Sequence, residues 1–147
     1  MPITGEYEPS TSQWVADQVA DYEASNGTRS NTVGPDNTPV VIVTMRGAKT
    51  GKVRKIGLIR VEHDGEYALV ASKGGAPEHP GWYYNLLADP QVMVQDGSTP
   101  HDFIVREVSG DERATWWDRS AAVFPQYLDY AKATDREIPV LVASRVD

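Results

Sequence analysis

The sequence contains no cysteine among its 147 residues. Disulfides, thiol nucleophiles and cysteine-bound zinc or iron–sulfur sites are therefore excluded. The three histidines, His63, His79 and His101, do not follow the spacing of metal-ligand motifs, so we expect no metal site. No apolar run reaches the roughly 20 residues of a membrane span, and the polar start MPITGEYEPSTSQW is unlike a signal peptide. We predict a cytoplasmic protein and leave peripheral membrane contact open.

Positive charge is also scarce. The chain has 14 Lys plus Arg against 21 Asp plus Glu, a net charge of −7. Nucleic acid is not expected as a partner, because its binding depends on a broad basic surface. The length indicates one domain over residues 1–147, long enough to bury a core without disulfides or metals.

The few cations are concentrated in one window, which contains no Asp or Glu. Six of the fourteen lie within fifteen residues: Arg46, Lys49, Lys52, Arg54, Lys55 and Arg60. Solvated surfaces usually mix both signs of charge, so this window predicts a focused site for a small anionic ligand. A solvated basic turn is the alternative. The spacing is not that of a P-loop, because three residues rather than four separate Gly47 from Gly51.

A second glycine-rich stretch, SKGGAP at 72–77, offers another place for an anion. Gly74 and Gly75 can present successive backbone N–H groups, and Ser72 and Lys73 add a hydroxyl and a cation. An ordinary loop with a glycine turn is the alternative.

Hydrophobic patterning predicts a protein that is mainly β, with about six antiparallel strands and flanking helices, in the α+β class. Expected strands are 39–45, 52–65, 66–72, 91–97, 100–108 and 138–144, with a hairpin turn at Asp64-Gly65. Residues 1–30 form a helical extension whose core face carries Trp14, Val15, Val19 and Tyr22. Further helices are expected at 80–88 and from about 110, the latter with a capping box of Ser109 and Glu112 and a restart at Pro125.

Three stretches carry a family resemblance: RGAKTGKVRKIGL (46–58), YALVASKGGAPEHPGWYYNLLADPQVMV (67–94) and YLDYAKATDREIPVLV (127–142). They resemble the deazaflavin-dependent oxidoreductases, a family that includes nitroreductases and quinone reductases using coenzyme F420. The resemblance covers most of the chain from about residue 40. It implies a split β-barrel of the FMN-binding-like kind, built as a monomer or homodimer.

The resemblance also implies a site. The expected cofactor contacts are Lys49, Thr50, Arg54, Ile56, Leu58, Ser72, Lys73, Gly74, Gly75, Trp82 and Asn85. Tyr127, Tyr130 and Ser72 are the expected catalytic donors to the acceptor, although the tyrosines could equally be packing residues. Strand alternation places Arg54 on the site face of its strand and Lys55 on the opposite face.

The implied activity is hydride transfer from reduced F420 (F420H2) to a small electron-poor acceptor: a quinone, an activated alkene or a nitroaromatic. F420 carries a phosphodiester and an oligoglutamate tail, so a six-cation window suits it better than FMN with its single phosphate. Two alternatives stay open at this point. One is a non-catalytic F420 carrier, and the other is an FMN-dependent split-barrel oxidoreductase.

Overall fold

The computed structural model describes residues 3–146, which form one antiparallel sheet curled into a half-barrel with four helices. The strands are β1 (Thr32–Val33), β2 (Thr38–Arg46), β3 (Val53–Ile59), β4 (Glu62–His63), β5 (Glu66–Val70), β6 (Gln91–Gln95), β7 (Pro100–Glu107) and β8 (Val140–Arg145). The helices are α1 (Gln13–Ala24), α2 (Gly81–Ala88), α3 (Gly110–Val123) and α4 (Gln126–Ala133). The sheet order is β1-β2-β6-β7-β8-β5-β4, and β3 pairs with β2.

Apolar runs rather than strict alternation mark the central strands, because both faces of these strands are covered. Along β2, Val41 and Val43 point into the barrel, while Val40 and Ile42 pack against α1. Along β8 the same alternation divides Leu141 and Ala143 in the barrel from the residues that pack with Trp116 of α3. This arrangement explains how one sheet can bury apolar clusters on both of its faces.

The predicted strands are present, with two differences in detail. The expected strand 52–65 is divided into β3 and β4 because the chain changes partner between them. The N–H of Arg60 still donates to the carbonyl of Pro39 in β2 at 2.9 Å, whereas the carbonyl of Val61 accepts from the N–H of Ala68 in β5 at 2.9 Å. The short β1 lies between α1 and β2, where no strand was predicted. The Asp64-Gly65 hairpin is confirmed: both residues have positive φ, 51° and 83°, as a two-residue turn of this kind requires.

The N-terminal helix is confirmed, but its predicted core face is only partly correct. Val19 and Tyr22 are buried, whereas Trp14 is 64% exposed. Val15, Val19 and Tyr22 recur at i, i+4 and i+7, and Trp14 lies about 100° away from that stripe. The indole therefore borders a groove on the outer side of α1 instead of the core.

The predicted capping box at the start of α3 is wrong. Ser109 occupies the N-cap position, but its side chain makes no cap hydrogen bond. Glu112 accepts two hydrogen bonds from Arg106 of β7, at 2.7 and 2.8 Å. A bidentate Arg–carboxylate pair is stronger than the reciprocal bond of a capping box, so the tertiary contact prevails over the local one.

None of the helices in residues 3–146 combines the length and the apolar character that a membrane crossing requires.

Candidate cofactor site

A cavity of about 770 Å³ opens between the β2–β3 turn, the N-terminal segment and α2. Its apolar part is formed by Val15, Met45, Ile56 and Trp82. Its polar part includes Glu8, Ser10, Thr11, Lys49, Thr50, Arg54, Lys55, Lys73, Tyr84 and Asn85. An apolar wall beside a group of cations suits a flat ring that carries an anionic tail.

The β2–β3 turn, which presents Lys49 and Thr50, is held in place from two sides. Gly47 closes it by donating to the carbonyl of Lys52 at 2.8 Å, and Gly51 adopts φ +73° to complete the bend. Asn85 of α2 accepts from the backbone N–H of Ala48 at 2.9 Å. The turn and α2 are therefore fixed to each other across the cavity, which places Asn85 in a positioning role.

Five of the six cations in the 46–60 window pair with carboxylates from other parts of the chain. The pairs are Arg46 with Asp89 (3.7 Å), Lys52 with Glu6 (3.2 Å), Arg54 with Glu8 (3.0 Å), Lys55 with Glu23 (2.6 Å) and Arg60 with Asp96 (2.7 Å). The surface mixes signs after all, so the count of cations in the sequence overstates the free positive charge. Three of the paired cations, Arg46, Lys52 and Arg60, do not line the cavity.

Lys49 is the exception. Within residues 3–146 its ammonium has no carboxylate partner, and it is exposed at the edge of the cavity. An incoming anion can therefore reach it without breaking an existing ion pair. Lys73 also lines the cavity and pairs with Glu78 at 2.9 Å.

The predicted alternation along β3 is confirmed for its apolar residues and incomplete for Lys55. Ile56 and Leu58 pack against the barrel core, while Gly57 faces Gln18 of α1 so closely that a Cβ would lie 2.6 Å from the Gln18 amide oxygen. Lys55 pairs with Glu23 of α1, which agrees with its predicted place on the opposite face. It also lines the cavity, because α1 and the N-terminal segment form part of the cavity wall.

The turn Lys73–Gly75 follows β5 and consists of three residues with positive φ, 45°, 64° and 83°. The N–H of Gly75 donates to the carbonyl of Ser72 at 2.9 Å. Gly75 packs tightly on α4, where an added Cβ would lie 3.0 Å from the carbonyl oxygen of Tyr130. The anion-binding role of Gly74 and Gly75 stays a prediction; neither residue lines the cavity.

Arg136 is a residue that the sequence did not single out. Its guanidinium donates to the carbonyls of Ala71, Ser72 and Ala76 at 3.2, 2.8 and 2.9 Å, and it contacts Nδ1 of His79 at 2.9 Å. One side chain thus fixes both ends of the 72–76 loop. Its position inside the stretch 127–142 that carries the resemblance is the feature that could have indicated it.

The two tyrosines of α4 occupy different environments. Tyr127 is buried in a cluster with Val70 and Ile138, and this burial raises the pKa of its phenol. Tyr130 is half-buried, with its ring 6.3 Å from that of Tyr127. Neither tyrosine nor Ser72 lines the cavity; α4 lies on the far side of the 73–75 turn.

The structure brings seven of the predicted cofactor residues to one cavity: Lys49, Thr50, Arg54, Ile56, Lys73, Trp82 and Asn85. The four others do not line the cavity but lie within two positions of a lining residue in the chain: Leu58, Ser72, Gly74 and Gly75.

Known proteins with similar sequences and folds indicate the family. A model of the F420H(2)-dependent quinone reductase family matches residues 14–145. A protein of Mycobacterium tuberculosis named F420H(2)-dependent quinone reductase is 33% identical over 127 residues, which cover 84% of this chain and 85% of that protein. The solved structure of F420-H2 dependent reductase FDR-A is 48% identical, with a TM-score of 0.69, and covers 72% of this chain and 94% of its own.

A further solved structure, described as a domain-swapped dimer, is 41% identical with a TM-score of 0.72. It covers 92% of this chain and all of its own. These matches confirm the split-barrel fold and the family that the three stretches indicated. The chain belongs to the F420H(2)-dependent quinone reductase family.

Proposed function

We propose that this protein is an oxidoreductase that uses reduced coenzyme F420 to reduce a quinone. The observation that carries the proposal is the cavity in which an apolar wall meets a turn of cations, with Lys49 unpaired in the described part of the chain. The names of the relatives support the same cofactor and acceptor class. F420H2, when bound, supplies the hydride.

The donor set of the cavity fits a deazaflavin with an anionic tail. Trp82, Met45 and Ile56 offer apolar surface for the ring system. Lys49, Arg54 and Lys73 offer charge-assisted hydrogen bonds for a phosphodiester and carboxylates. Several cations spread along one rim favour a long anionic tail over the single phosphate of FMN.

The remaining chemistry is proton supply to the acceptor oxygen. Ser72 and Tyr130 are our candidates, since a hydroxyl or phenol can donate to an oxygen that gains negative charge. Neither lines the cavity, so this role requires an acceptor that extends from the cavity towards the 73–75 turn and α4. Tyr130 is half-exposed, so its hydroxyl is the accessible phenol of the pair. Buried Tyr127 packs behind it and positions its ring.

Turnover separates this proposal from its two alternatives. Purified protein is mixed with F420H2 and a water-soluble quinone, and the return of oxidised F420 is followed by its fluorescence. A nitroaromatic and an activated alkene serve as parallel acceptors. We expect catalysis with the quinone that depends on enzyme concentration. Binding of F420 without turnover of any acceptor would indicate a carrier, and turnover with reduced FMN alone would indicate a flavin enzyme.

A further inference from the structure

We propose that Glu8 is a built-in competitor for the anionic tail of the cofactor, so that cofactor binding exchanges one carboxylate for another on Arg54. The inference rests on the proposed function and adds a determinant of affinity to it. Residues 3–12, which we call the N-terminal strap, carry this competitor.

The strap is fixed beside the cations by its backbone. The N–H of Val53 donates to the carbonyl of Glu6 at 2.8 Å, and the N–H of Glu8 donates to the carbonyl of Val53 at 2.9 Å. Tyr7 and Val53 thereby form a parallel bridge, so the strap adds a short strand to the free edge of β3. This pairing places residues 6–8 alongside the most basic part of the chain.

Three consecutive residues of the strap then contact three cations. Glu6 lies 3.2 Å from Nζ of Lys52, and Glu8 accepts from Nη1 of Arg54 at 3.0 Å. Between them, the Tyr7 ring lies under the Lys55 ammonium, 5.2 Å from ring centroid to Nζ. The strap therefore already contacts three of the six cations in the 46–60 window, of which Arg54 and Lys55 line the cavity.

Glu8 stands out from the other partners because it lines the cavity itself, together with Ser10 and Thr11 of the same strap. Its side chain offers the functional group that an oligoglutamate tail repeats. A tail carboxylate that binds Arg54 would lie close to the carboxylate of Glu8, and two like charges on one cation repel each other. The tail therefore gains Arg54 when Glu8 leaves it.

Replacing Glu8 by a tail carboxylate on Arg54 costs little free energy, because the Arg54–Glu8 ion pair is weak. The side chains of Arg54 and Glu8 are 34% and 38% exposed, and ion pairs this accessible to water contribute little net stability. The exchange also has a distinctive salt dependence. When one ion pair replaces another, added salt screens both, so the affinity for the tail falls less steeply than it does where a new pair is formed without loss.

Glu8→Gln tests the proposal, because it keeps the shape of the side chain and removes the charge. Glu112→Gln is the matched control: it removes one carboxylate from another Arg–Glu pair, that of Arg106, outside the cavity. Each variant is titrated with F420 and with the tail-less deazaflavin chromophore, at low and at high salt. Thermal melts verify that both variants fold.

We expect Glu8→Gln to bind F420 about two- to fivefold more tightly, with a steeper salt dependence, and to bind the tail-less chromophore as the wild type does. Glu112→Gln should match the wild type for both ligands. Equal F420 affinity in wild type and Glu8→Gln, weaker binding by Glu8→Gln, or an equal gain for both ligands would each overturn the proposal. If none of the three proteins binds F420, the proposed function fails and this inference fails with it.

Discussion

At the scale of single residues, the useful distinction among the cations is whether a carboxylate already neutralises them. Lys49 has no such partner within residues 3–146, whereas Arg54 is shared with Glu8. The sequence predicted both as cofactor contacts but could not separate them, because Glu8 and Arg54 are 46 positions apart. The Glu8–Arg54 ion pair joins residues that are distant in the sequence, so it forms only when the strap pairs with β3.

We predict that Arg54→Ala weakens F420 binding by about 1–3 kcal/mol, because it removes a charge-assisted hydrogen bond to the tail and leaves the carboxylate of Glu8 unpaired in the cavity lining, where it repels the tail. Lys49→Ala should weaken it less, since an exposed ammonium is screened by water and salt. Fluorescence titration measures both. Arg106→Ala, which removes an Arg from another Arg–Glu pair outside the cavity, is the control and should leave affinity unchanged. Equal losses in all three variants would mean that only net charge matters.

The phenol of Tyr130 gives a second prediction at this scale. Tyr130→Phe keeps the ring in its aromatic cluster and removes the proton donor. If the hydroxyl acts mainly in the transition state, quinone turnover should fall about 10- to 1,000-fold while F420 affinity stays constant. Steady-state kinetics measures the turnover of each variant, and fluorescence titration measures its affinity for F420. Unchanged turnover would assign Tyr130 to packing, and Tyr127→Phe, in the buried position, should then behave identically.

At the scale of elements, the strands were predictable because the physics that forms them is local. The β-branched run of β2 and the Asp64-Gly65 turn specify their structures through side-chain and backbone preferences. The prediction of a capping box was wrong because Arg106, which lies on β7, binds the carboxylate of Glu112 instead. The prediction that Trp14 lies on the core face was wrong, because the width of the buried stripe on α1 depends on which elements cover that helix. Local sequence patterns therefore predict single elements well and the contacts between elements poorly.

The 73–75 turn allows a matched pair of glycine substitutions. Gly74 and Gly75 both have positive φ, but only Gly75 faces a neighbour, the backbone of Tyr130 at 3.0 Å. Gly74→Ala should lower the free energy of unfolding by about 1 kcal/mol, from the left-handed backbone alone. Gly75→Ala should lower it by about 2–4 kcal/mol, because overpacking against α4 is added. Urea unfolding measures the free energy of unfolding of both variants. Equal losses of stability in the two variants would contradict the tight contact between the 73–75 turn and α4.

Arg136 connects the loop 72–76 to the segment before β8. Its removal takes one donor from each of three backbone carbonyls, of which that of Ser72 keeps the N–H of Gly75. We predict that Arg136→Gln weakens F420 binding and increases amide hydrogen exchange in this loop more than elsewhere. Arg136→Lys keeps one cationic donor and should restore part of the affinity. A uniform increase in exchange over the whole barrel, with no rescue by Lys, would show a general folding role instead.

At the scale of the whole molecule, the acidic chain and its basic window form one charge arrangement. Carboxylates from the strap, α1, the segment after α2 and the segment after β6 converge on the window, so that little free positive charge remains outside the cavity. The resemblance led to the fold, the family and most of the cavity, because those stretches supply its wall. It could not show the role of the strap, which lies outside them. The cytoplasmic location and the oligomeric state stay predictions.

The central claim is that the cavity is built for the charged tail of F420. Titrating the purified wild-type protein with F420 and with FMN, side by side and at about 0.15 M salt, tests it most directly. We predict that F420 binds with a dissociation constant at least about tenfold lower than that of FMN, a difference of about 1.4 kcal/mol, and that added salt narrows the gap. Micromolar binding of FMN with no detectable binding of F420 would contradict the account.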